Sequence, residues 1–410
     1  MNTLIKYEFL KIAKKRSTLI VMLASLFITA FLFGLPVLQF QTYDKEVVMK
    51  GMEGIRYERS LKDGIDVTLS DEYAETVINE VNGLFADPGN VGTDGSERFL
   101  IGDAYWEYIA PREKLVDTIA SAYAKNGEYA GYNSIPELTA SGAKGFNDAR
   151  RDKVRAIIES PSRELSSEQK EYWLSMTDKT GVIRYGYHEG WEIIHTNFEL
   201  LIFAVLACCI AIAPVFAGEY QTGMDAVILA GKYGKTKLIT AKITASVLFG
   251  VLAFLVHLAV AIGIPLAFFG ADGWDLPLQV LGLTIPYPWT VSEAVLRNTA
   301  VILLVLIAML SLTLLLSAKM KSPFPVLAVL IPVLIVPMFF TPSGSSGLFN
   351  QILFLLPYRS MVPEIGKYIS YQFGGTVVGL LEVRAVLYVI LTLVLIPVCR
   401  RSFKKHQVSC

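Results

Sequence analysis

GEYQTGMDAVILAGKYGKTKLITAK, residues 218–242, decides the reading of this chain. It follows one membrane-length apolar run and leads into another. Glu219 and Asp225 are the acids of the loop, and Lys232, Lys235 and Lys237 follow them. Thr222 or Gly223 starts a short helix over 224–229, with Asp225 in its first turn, where a carboxylate suits the positive end of the helix dipole. Gly231 and Gly234 then end or turn it. The pattern predicts a short helix across a membrane surface, tied by a charged elbow to two spans.

Composition agrees with a membrane protein that also carries a polar unit. Of 410 residues, 53% are hydrophobic. The net charge of zero hides segregation, because 28 of the 37 acidic residues lie within 39–196, against 18 lysines and arginines there. No basic stripe runs through a soluble domain, which argues against nucleic-acid binding. Cys208, Cys209, Cys399 and Cys410 all lie outside the polar segment, so that segment carries no disulfide.

Six apolar stretches reach the length of about 20 residues that a bilayer requires: 18–38, 198–217, 238–269, 298–317, 323–341 and 379–399. The first follows Lys11, Lys14, Lys15 and Arg16, but it exceeds a signal peptide's apolar core and lacks a small-residue cleavage site. It reads as an uncleaved anchor. Basic residues at 6–16, 232–237, 319–321 and 400–405 fall on one side of a six-span plan, and 243–296 holds no Lys or Arg. The positive-inside rule therefore places both termini in the cytoplasm and 39–197 outside, in a multi-pass protein of the cytoplasmic membrane.

The expected fold class is an all-α polytopic membrane protein with six transmembrane helices and a large, mainly helical extracytoplasmic domain between the first two. Its expected parts are a cytoplasmic amphipathic helix at 1–17, the outer domain at 39–197, a cytoplasmic loop at 218–237, an outer loop at 270–297, a short cytoplasmic loop at 318–322, an outer re-entrant segment at 342–378 and a cytoplasmic tail at 400–410. Within the outer domain, helical patterns run over 71–85, capped by Ser70, and over 104–125, 147–159 and 166–176. Ser166 with Gln169 fits a capping box. No strand run stands out. His188, Glu192 and His195 share one helical face and are a candidate Zn²⁺ set, although the aromatic residues around them equally suit interfacial anchoring. Glu293 and Arg297 are placed to pair at the outer start of the fourth span or to line a vestibule.

Gly234-Lys235-Thr236 mimics the end of a P-loop, but the pattern needs glycine where Leu229 stands, and a membrane span follows at once. Nor is any cytoplasmic segment long enough for an ATPase domain. His257 alone offers intramembrane acid–base chemistry, too little for an enzyme.

With Glu219, Gly223, Leu229, Lys235 and Lys242 in this order, the chain resembles the ABC-2 type transporter permeases, the membrane subunits of ABC exporters. The resemblance extends to the six-span plan and to the amphipathic N-terminus, where Ile5, Phe9 and Ile12 alternate with Lys6, Lys11 and Lys14. Many members carry proline where this chain has Gly231-Lys232-Tyr233. That variant is similar to the subgroup associated with peptide-antibiotic export or immunity in Gram-positive bacteria. The resemblance implies a coupling helix at about 222–231, with Glu219, Gly223, Asp225, Leu229, Lys232, Lys235 and Lys242 engaging a separate ABC ATPase subunit. It implies ATP and Mg²⁺ on that partner, no cofactor and no catalysis on this chain, and a second, identical or homologous permease subunit. It implies an outer gate on the short apolar run 348–356, at Phe349, Leu353, Leu356 and Pro357. Aliphatic spans without buried charge point to an amphipathic or lipid-like cargo, such as a peptide, moved amid membrane lipids. The alternative is a membrane receptor whose outer domain binds a ligand.

Overall fold

The computed structural model describes residues 1–45, 47–95, 97–128, 130–138, 145–231 and 233–405. Five helices among them are long and apolar enough to cross a membrane: Arg16–Gln39, Glu189–Gln221, Lys237–Phe269, Val291–Lys319 and Leu380–Lys405, here called the first to fifth long helices. The stretch expected as a further span is shorter, with α-helix over Pro323–Ile335 and a 3-10 turn at Val336–Phe339. Pro332 and Pro337 remove two backbone donors there, which accounts for the early loss of α-helix.

The faces of the long helices are inverted relative to a water-soluble bundle. In the first, Thr18, Ser25 and Thr29 are buried, while Leu19, Ile20, Leu23, Phe27 and Phe31 are exposed. In the fifth, Arg384 and Tyr388 point in, while Val386, Val389, Ile390 and Leu393 point out. Small and polar residues let helices approach and bond, and aliphatics suit an apolar solvent. This is the character of an all-α membrane protein. Gly250 permits close contact of the third and fourth helices, since a methyl group there would overlap Leu310.

At one end of the bundle stands a polar unit with its own core. The expected Ser70 cap and the Ser166–Gln169 capping box are present, on Asp71–Ala86 and Ser167–Asp178. The helix expected over 104–125 is broken into a π-helix Ala104–Ile109, a 3-10 turn Ala110–Arg112 and an α-helix Glu113–Tyr123, because Pro111 interrupts the donor ladder. The absence of strands is corrected: Gln41–Asp44 pairs with Val47–Lys50, Asp66–Thr68 with Arg184–Gly186, and Val91–Asp94 with Glu97–Leu100. Three or four residues are too short to display a period of two.

The polar unit is not confined to 39–197. Trp173 is fully buried between Tyr287, 5.5 Å away, and Tyr368, 5.6 Å away, one from each later loop. Arg150 donates to Leu283 O at 3.1 Å, Gln169 to Ser370 O at 2.9 Å, and Tyr368 to Thr284 O. Three loops far apart in sequence therefore share one core at one end of the long helices.

Candidate functional site

At the opposite end, the second long helix kinks at Pro214. A new helical segment starts at the proline, so its first N–H groups lack helical acceptors, and Ser317 of the fourth helix serves them. Its Oγ accepts from Phe216 N at 3.0 Å and Ala217 N at 2.9 Å, and donates to Ala213 O at 2.7 Å. Tyr220 donates to Ala318 O at 3.1 Å, and the Phe216 and Phe403 rings lie 4.7 Å apart. The kinked segment is thus fastened to the ends of two other long helices.

The elbow helix is Met224–Ala230, one residue longer than the 224–229 read from the residues and shorter than the 222–231 implied by the resemblance. Gly223 precedes it with φ +71°, a left-handed conformation that favours glycine. Gly234 packs under it so closely that a methyl group would overlap the Ile228 carbonyl. Seven residues are too few for a self-supporting helix, and this one is held by its buried Asp225 and half-buried Ile228 and Leu229. Its other face is open and apolar: Met224 is 51% and Val227 67% exposed, beside exposed Tyr233. Lys237 sits 4.7 Å over the Tyr233 ring, and Lys235 is exposed. Lys232 lies outside the described residues.

Beneath this face is a buried charge cluster. Lys242, its side chain 1% exposed, donates to Glu219 Oε1 at 2.6 Å and to Glu8 Oε2 at 2.8 Å. Lys11 donates to the same Glu219 Oε1 at 2.8 Å. Glu219 Oε2 is buried and has no hydrogen-bond partner among the described residues. Burial works against the charge on Lys11, but the hydrogen bond and field of Glu219, aided by Glu8, raise its pKa above the ordinary lysine value. The N-terminal helix Asn2–Ala13 brings Glu8 and Lys11 here, anchored by buried Ile12 and by Phe9 edge-on to Phe249 at 5.9 Å. A groove of about 800 Å³ runs along it, lined by Tyr7, Lys11, Lys14, Lys15, Glu219 and Met224. Glu219 and Lys242 were readable in the sequence; Glu8, Lys11 and Ser317 were not, since more than 200 residues separate the lysine from its glutamate.

At the polar end, Leu348–Leu353 is a six-residue helix. Of the expected gate residues, Phe349 is exposed, Leu356 half-buried, and Leu353 and Pro357 buried. The following turn is gathered by Arg384, fully buried in the fifth helix, which donates to Phe354 O, Arg359 O and Val362 O at 2.7–3.1 Å. Arg163 of the polar unit reaches the same region, donating to Gly344 O at 3.2 Å and Lys367 O at 2.9 Å. Sequence reading missed both arginines, and its expectation of spans without buried charge is corrected by Arg384 and Lys242, buried within the fifth and third long helices; an arginine inside an apolar run was the available signal for Arg384.

The candidate zinc set is not assembled. Glu192 lies 3.7 Å from His188 but 3.0 Å from Lys114, which also holds Glu189 at 2.8 Å. His195 Nδ1 is buried without a partner, and no group of three metal-ligating side chains occurs among the described residues. Burial lowers the His188 pKa, partly offset by its hydrogen bond to Gly186 O and by Glu192 and Glu189. Lys114 titrates above the ordinary lysine value: burial opposes its charge, but Glu189 and Glu192 outweigh it. Glu293 and Arg297 do not pair. Glu293 closes a capping box with Thr290, and Arg297 lies 4.6 Å over the Trp289 ring. His257 bonds Ser25 Oγ at 2.9 Å and Ala253 O at 2.8 Å, a clamp between the third and first helices.

No curated protein and no solved structure matches the chain. A family model matches from within the helix Ser167–Asp178 onward, taking in the elbow, the Leu348–Leu353 helix and the four later long helices. By that match, over residues 169–409, the chain belongs to the family described as "Protein of unknown function (DUF2705)".

Proposed function

We propose that this chain is the permease subunit of an ATP-driven exporter of the ABC-2 type. A separate ATPase docks on the elbow helix and drives it. Both termini and the elbow face the cytoplasm, Pro323–Phe339 completes a sixth crossing, and the polar unit stands outside. A second permease subunit completes the pathway, and the cargo is amphipathic or lipid-like, such as a peptide. The observation that carries this reading is the elbow. It presents an apolar, lysine-flanked face outward, while its root is locked through Glu219 and Lys242 to the third helix and the N-terminal helix. A push on Met224 and Val227 is carried to two long helices by charges that have no room to yield. The shared Ser317 carries it to a third. The polar unit bonds Gly344 and Lys367, on either side of the expected gate residues, through Arg163, which gives the far end a mechanical link of its own.

Purification from native membranes in mild detergent tests this. The full chain is expected to bring down a nucleotide-hydrolysing protein, and Val227→Glu to lose it while still inserting. An unmodified chain that purifies without such a protein, while its polar unit binds a ligand, favours the receptor alternative.

A further inference from the structure

A second groove lies on the lipid-facing side, between the third and fifth long helices at the elbow end. It encloses about 500 Å³ and is lined by Thr240, Thr244, Val247, Val251, Ile396 and Arg400, among others. On the third helix these residues recur at three- and four-residue spacings, so they form one stripe. From Thr240 to Val251 the stripe is about 16 Å long at the helical rise per residue. That is about half the ~30 Å hydrocarbon thickness, one leaflet deep. The walls are aliphatic over Val247, Val251 and Ile396; toward the elbow end they carry the Thr240 and Thr244 side chains and Arg400, which stands exposed one turn beyond Ile396. Arg400 has no carboxylate partner among the described residues.

A largely apolar groove of one-leaflet length with a guanidinium at one mouth suits a molecule with an acyl chain and an anionic head. We infer that the groove is a binding site for an anionic phospholipid, with an acyl chain along Val247 and Val251 and the phosphate on Arg400. Arginine's planar fork suits phosphate bidentately. This site is distinct from the elbow and does not depend on what drives the chain.

The test is native mass spectrometry of the full chain in mixed micelles, titrated with phosphatidylglycerol or phosphatidylcholine. Wild type is expected to retain phosphatidylglycerol in preference, and Arg400→Gln to weaken that retention about fivefold, the effect of about 1 kcal/mol per interfacial cation. Arg401→Gln, one residue away but off the groove, is expected to behave as wild type. Val247→Phe, which fills the slot, is expected to lose both lipids; should that chain not fold, the Arg400 and Arg401 comparison decides alone. Excess inorganic phosphate is expected not to displace the lipid. Equal losses in Arg400→Gln and Arg401→Gln, no loss in either, or displacement by free phosphate would overturn the site.

Discussion

Glu219→Leu and Lys242→Met, singly and together, probe the charge cluster under the elbow. Both side chains are almost wholly buried, 6% and 1% exposed, and their atoms meet at 2.6 Å. Glu219→Leu leaves the Lys242 ammonium with Glu8 alone, and Lys242→Met leaves the buried Glu219 carboxylate leaning on exposed Lys11. Breaking such a buried pair from one side costs about 3–5 kcal/mol, chiefly the desolvation of the stranded charge. Removing both partners strands neither, and the remaining Glu8 and Lys11 sit close enough to the surface to turn toward water. The double variant is therefore expected to be no less stable than either single one. Denaturant unfolding in lipid micelles, followed by helical circular dichroism, measures all three. If the two single losses simply add, within about 0.5 kcal/mol, the groups do not interact and the cluster is not what ties the elbow down. On the proposed permease reading, the same double variant, though folded, is expected to transport nothing, because the charge contact between its elbow and the third helix is gone.

Trp173→Ala removes the side chain about which the three loops pack and is expected to cost about 3–5 kcal/mol, with protease nicking near 284 and 368 as the readout; a cost under about 1 kcal/mol contradicts a shared core. Gly234→Val sets a branched side chain against the Ile228 carbonyl. It should abolish function, with the long helices still inserted and the 225–236 segment newly open to proteolysis; an active variant would show that the elbow tolerates another path. His188 has a pKa below the ordinary histidine value of about 6.5, so the folded unit prefers the neutral ring. That stability is complete above about pH 6.5 and is lost as pH falls through the lowered value. Thermal unfolding should therefore occur at lower temperature at pH 5 than at pH 7.5, and His188→Gln should shrink the difference; an unchanged difference places the acid sensitivity elsewhere.

Much of the architecture was legible because it depends on local pattern. Apolar length announced the long helices, and Ser70 and the Ser166–Gln169 pair announced their helix starts. Gly223, Asp225 and Gly234 outlined the elbow to within two residues. What stayed hidden was non-local or too short. Nothing near Trp173 says that Tyr287 and Tyr368 will flank it, and nothing near Glu219 says that Lys11 will reach it. Four-residue strands carry too few alternations to be seen. The three side chains of the candidate zinc set stand apart for a physical reason: His188 is the cap residue outside the helix that carries Glu192 and His195, and Lys114, from another helix, bonds Glu192. Arg384 was passed over because its acceptors are backbone carbonyls, which leave no trace in side-chain identity.

A photoreactive residue in place of Val227, activated in intact cells, reports what docks on the elbow. One dominant adduct is expected, with a nucleotide-binding protein, formed from the cytoplasmic side and weakened when that protein's ATP site is disabled. Adducts with lipid alone, or quenching of the label by a reagent that cannot enter the cell, would contradict it.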